Sequence, residues 1–69
     1  MTQSFALISV VVPVYRSADV LPELTSRVLD TFRLLGEACE IIFVEDCGGD
    51  ASWDVIRRLA EEDVRIRGY

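Results

Sequence analysis

From Phe5 to Val14 the chain is apolar at every position except Ser9, and Ile8, Val10, Val11 and Val12 are β-branched. A run of this kind reads as a strand buried on both faces, the mark of a parallel sheet. It is far too short to span a bilayer. Proline cannot donate to a strand ladder, so Pro13 is expected to end the hydrogen-bonded run. A second strand is predicted over 40–44, with Ile41-Ile42-Phe43-Val44 repeating the pattern, and it stops abruptly at Glu45-Asp46-Cys47-Gly48-Gly49-Asp50.

Between the two runs the apolar period changes. Leu21, Leu24, Val28, Phe32 and Leu35 recur at spacings of three and four, which places them on one helical face. Pro22 suits a first helical turn and Gly36 a stop, so a helix is predicted over 20–35. Trp53, Val55, Ile56, Leu59 and Ala60 predict a second helix over 51–62, for which Asp50 can serve as cap. A third strand is expected over 64–68. The order β-α-β-α-β implies parallel pairing with right-handed crossovers. Residues 1–69 then form the amino-terminal part of a larger α/β domain. Three parallel strands alone leave apolar edges, through which self-association is expected.

Composition removes several function classes. Seven basic residues, all arginine, stand against twelve acids, and there is no histidine, for a net charge of −5. That balance lacks the basic surplus that nucleic-acid binding requires. The usual general base and metal ligand is also missing. Cys39 and Cys47 have no metal-ligand spacing, and an extended strand between them separates them beyond disulfide reach. The chain opens without a basic, then apolar, leader, so free thiols in the cytoplasm are the expectation.

In open α/β sheets, ligands bind at the carboxyl ends of the strands. Pro13-Val14-Tyr15-Arg16 follows the first strand and 45–50 follows the second. If these strands are neighbours, both loops line one crevice. Two readings of Glu45 and Asp46 stand: solvated loop carboxylates, or acceptors for a ligand's N–H and hydroxyl donors. Arg16 likewise has a phosphate-contacting and a plain surface reading. The glycines of a dinucleotide-binding fingerprint are absent, and without lysine there is no P-loop. A flavodoxin-like receiver places its acidic pair after the first strand rather than the second.

Four strings together carry a resemblance: Val12-Pro13-Val14-Tyr15-Arg16, Leu21-Pro22-Glu23-Leu24, 40–46 with its closing Glu45-Asp46, and Asp50-Ala51-Ser52-Trp53. In order and spacing they resemble the opening of family 2 glycosyltransferases, with P-V-Y-N and V-D-D-G-S-x-D as the family's usual strings. The long first helix looks most like the branch that transfers sugars to polyprenyl phosphates. The departures are Arg16 for asparagine, Glu45 for aspartate, and Cys47 and Gly48 for glycine and serine.

The resemblance implies a Rossmann-like GT-A sheet and a nucleotide-sugar donor. It implies that Pro13, Val14 and Tyr15 pack around the nucleobase, that Asp46 accepts a hydrogen bond from the base, and that Glu45 stands beside it. Asp50 matches an acid that opens the next helix and has a cap reading as well. Trp53 is expected to pack beneath the loop. In the family, a divalent metal, Mg or Mn, is held by a later D-x-D motif, and the catalytic carboxylate lies later still. No catalytic or metal-binding residue is therefore expected within this chain, and no turnover from it alone. Any membrane contact would come through other parts of a parent protein at the cytoplasmic face. The alternative is a non-catalytic α/β module that binds a nucleotide or a protein.

Overall fold

The computed structural model describes residues 7–46 and 51–69. The elements run β1 (Leu7–Val14), α1 (Leu21–Leu35), β2 (Ala38–Glu45), α2 (Ser52–Glu62) and β3 (Ile66–Gly68). The three strands form one parallel sheet in the order β1-β2-β3. The expected β-α-β-α-β architecture is therefore present.

The β1–β2 register is continuous from Leu7↔Ala38 to Val14↔Glu45. β3 pairs through Ile41↔Ile66 and Phe43↔Gly68. Side chains alternate along each strand, so Val10, Val12 and Val14 share a face with Cys39, Ile41 and Phe43. Leu21 of α1, Ile56 and Leu59 of α2, and Ile66 of β3 close one core over that face. Both helices thus lie on the same side, as two successive right-handed crossovers to neighbouring strands require.

The opposite face differs from the expectation of burial on both sides. Val11 is 60% exposed, and Leu7 and Val44 are also exposed. Both connections cross on one side, and no described element covers the other. Pro13 also departs from expectation, since it lies inside β1, opposite Val44. The Val14 carbonyl accepts the Asp46 N–H, so residue 14 bonds toward β2. By alternation residue 13 faces the open edge of β1, where a missing N–H removes nothing from the ladder.

α1 begins after a turn in which the Val20 N–H donates to the Ser17 carbonyl, and Pro22 sits in its first turn. Its expected stripe largely holds, with Leu21 in the core and Leu24 and Val28 packed against it. Leu21 and Thr25 are buried, whereas Leu35 at the helix end is exposed. The Thr25 hydroxyl is enclosed without a hydrogen-bond partner. The helix stops as expected at Gly36, with φ +72°. There the Gly36 and Glu37 N–H groups return to the carbonyls of Arg33 and Phe32, a Schellman closure.

α2 begins at Ser52, after Ala51 at its N-cap position. Asp50 and Cys47 lie outside the described residues, and Cys39 is a buried free thiol. α2 rests closely on β3. A Cβ at Gly68 would overlap Ile56 Cγ2 and stand 3.3 Å from the Trp53 ring. Trp53 therefore packs beside β3. The entry to β3 is held by Asp63, which accepts from the Arg65 backbone N–H (2.9 Å), Nε (2.9 Å) and Nη2 (2.6 Å).

Two outcomes are expected. At Gly36 a new Cβ meets nothing within 4 Å, so the cost of Gly36→Ala is that of the left-handed backbone alone. Denaturant unfolding should show a loss of about 1 kcal/mol. Arg65's side-chain and backbone hydrogen bonds lower the Asp63 pKa from 3.8 to about 2. A depressed carboxylate pKa contributes stability that is complete above the unfolded value and lost as pH falls through the folded one. Thermal melts should therefore lose stability between about pH 4 and pH 2, and Asp63→Asn should flatten that part of the profile.

Candidate nucleotide-binding crevice

β1 and β2 are neighbours, so the segments that follow them emerge side by side at the carboxyl end of the sheet. Val14 stands opposite Glu45, and the Asp46 N–H to Val14 carbonyl bond (2.9 Å) carries the pairing one step past the strands. Tyr15 and Asp46 are thus the first residues beyond the ladder on adjacent strands, and both are exposed.

The five sequence candidates do not behave alike. Val14 is only 1% exposed and belongs to the core, so it can serve the crevice only through its backbone. Glu45 is half-buried, and its N–H donates to the Tyr69 carbonyl. Pro13 sits in the row of the uncovered face, beside Val44. Tyr15 and Asp46 are the two whose side chains are open to solvent at the strand ends.

The first loop is tightly defined. The Arg16 guanidinium stands 5.6 Å from the centroid of the Tyr15 ring, within cation–π range. Arg16 has φ +48°, the only positive value at a described non-glycine residue. Asparagine tolerates that region better than arginine does. The Ser17 hydroxyl donates to the Tyr15 carbonyl (2.7 Å), and the Ser17 N–H donates to Ser52 Oγ (3.0 Å) at the start of α2.

Ser52 was not anticipated as a site residue. A signal for it was present: it precedes Ile56 by four and Leu59 by seven, which places it on the buried stripe of α2. A buried serine in a first helical turn needs hydrogen-bond partners, and the Ser17 N–H of the neighbouring loop supplies one.

Among the described residues, no group of three or more Cys, Asp or Glu side chains comes together to hold a metal ion. A concavity of about 570 Å³ lies near the amino ends of β1 and β2, lined by Leu7, Phe32, Arg33, Ala38, Cys39 and Arg65. It is at the far end of the sheet from Tyr15 and Asp46.

A parallel α/β sheet with both helices on one face is the class that this topology defines. The model of glycosyl transferase family 2 matches residues 9–69, and the chain belongs to that family. The undecaprenyl-phosphate 4-deoxy-4-formamido-L-arabinose transferase of Pseudomonas paraeruginosa (strain PA7) is 44% identical over 57 residues, covering 83% of this chain and 17% of that protein. The transferase of the same name from Enterobacter sp. (strain 638) is 42% identical over 55 residues, covering 80% and 17%. That of Salmonella typhimurium (strain LT2) is 36% identical over 55 residues, with the same coverage of 80% and 17%. The chain thus spans about a sixth of the length of these curated relatives, 17% in each case. Among the described residues, no helix is long and apolar enough to cross a membrane.

Proposed function

We propose that this chain binds the nucleotide of a sugar-nucleotide donor, as the donor-binding part of an inverting glycosyltransferase whose acceptor is a polyprenyl phosphate. The observation that carries the reading is the parallel β1–β2 register, which brings Tyr15 and Asp46 together at the carboxyl ends of the strands. The Asp46 carboxylate is an acceptor for a base N–H, and the Tyr15 ring offers an aromatic face beside it. α1 and α2 both start at this end of the sheet, and their positive N-terminal ends favour a diphosphate there.

In the complete reaction, an acceptor phosphate oxygen attacks the anomeric carbon, the bond to the nucleoside diphosphate breaks, and the configuration inverts. The names of the relatives support undecaprenyl phosphate as acceptor and 4-deoxy-4-formamido-L-arabinose as the sugar. A divalent cation would neutralise the departing diphosphate, held by residues beyond those described. The buried free thiol of Cys39 is consistent with the cytoplasmic side as the place of reaction. Self-association is part of the same reading, supported by the exposed Leu7, Val11 and Val44 and by open strand edges. Sedimentation of the chain should show a dimer or larger species, and a compact monomer at all concentrations would remove this element.

The site is tested by calorimetric titration with UDP and with GDP. A charge-assisted hydrogen bond is worth roughly 1.5–3 kcal/mol, so Asp46→Ala should weaken binding of the preferred nucleotide about ten- to a hundredfold. Asp46→Asn, which can turn its oxygen inward, should lose less. Asp54→Ala, on the exposed side of α2 and 3.9 Å from Arg57, serves as the control and should bind as wild type does. Equal affinity in wild type and Asp46→Ala would overturn the assignment of Asp46.

A further inference from the structure

Ser52 is 0% exposed, yet its hydroxyl oxygen accepts the N–H of Ser17, 35 residues earlier in the chain. Two hydrogen bonds therefore flank Arg16. On one side the Ser17 hydroxyl returns to the Tyr15 carbonyl, and on the other the Ser17 N–H is tied to α2. Between them Arg16 holds a left-handed conformation that L side chains resist. Such a conformation persists only where its surroundings over-determine it. Of the two bonds, that to Ser17 Oγ is local and travels with the loop. The bond to Ser52 reaches a distant element and ties the loop to α2.

We infer that Ser52 is a positioning residue of the nucleotide crevice: through the Ser17 amide it holds Arg16 left-handed and thereby sets Tyr15 at the carboxyl end of β1. This rests on the nucleotide reading above and extends it to a residue that touches no ligand. It also joins the loop after β1 to the first turn of α2. A shift of α2's first turn is passed toward Tyr15 through the Ser17–Ser52 hydrogen bond.

The test combines a measurement on the unaltered chain with a double-mutant cycle. In wild type, the Ser17 amide should be protected from hydrogen exchange. Exchange at the rate of an unstructured peptide would overturn the inference without any variant. Loss of one ordinary hydrogen bond corresponds to about fivefold, so Ser52→Ala should raise the Kd for UDP or GDP by about that factor. The same change should remove the Ser17 protection, while protection within β2 is retained. Asparagine tolerates the left-handed region, so adding Ser52→Ala to an Arg16→Asn chain should cost clearly less than adding it to wild type. A merely structural serine would cost the same in both backgrounds, and that result would overturn the proposal. Unchanged nucleotide affinity in Ser52→Ala would do so as well. The nucleotide reading fails separately, if wild type binds neither UDP nor GDP while Ser17 remains protected.

Discussion

The parallel ladder between β1 and β2 is the constraint from which the rest of the structure follows. Its eight paired positions run from Leu7↔Ala38 to Val14↔Glu45. A shift of one residue would send Val10, Val12 and Val14 to the uncovered face and expose the core that Ile41 and Phe43 share with both helices. Burial therefore specifies the register strongly. The same register decides which residues meet at the carboxyl end of the sheet. Tyr15 and Asp46 become neighbours because Val14 and Glu45 are paired beneath them.

A second layer of organisation joins the helices to the strand ends. Gly68 lets α2 approach β3 closely enough for Ile56 and Trp53 to cover it. That approach places the first turn of α2 against the loop after β1, where Ser52 receives the Ser17 N–H. Packing at one edge of the sheet thus bears on loop geometry at the other. Arg16 holds its left-handed backbone at the position where the family's usual string has asparagine, which gives that asparagine a conformational reason.

The elements themselves were legible in the sequence. Both helices and all three strands lie where apolar periodicity placed them, within about two residues at each end. Gly36 closes α1 as its sequence position implied. The candidate site was legible in part. Strand-end logic brought the two loops together, but it could not separate Tyr15 and Asp46, which are open to solvent, from Val14, which is sealed in the core. The expectation that Pro13 would end β1 treated a proline as a break in every strand, whereas on an open edge its missing N–H faces outward. Leu21, Leu24 and Val28 of α1 meet the core as their spacing implied, whereas the burial of Thr25 among them is not signalled by its polar side chain.

The sequence by itself determined the order and type of the elements, their parallel connection, and the family to which the chain belongs. These are local properties of apolar period, turn residues and motif spacing. Only the tertiary structure decided that both helices share one face, leaving Leu7, Val11 and Val44 exposed on the other. It alone decided that Ser52 reaches back to Ser17 and that Arg16 is left-handed between two hydrogen bonds. The physical reason is that periodicity reports which side of an element is apolar. Which neighbour covers that side, and which polar group is enclosed with it, depends on contacts between residues tens of positions apart.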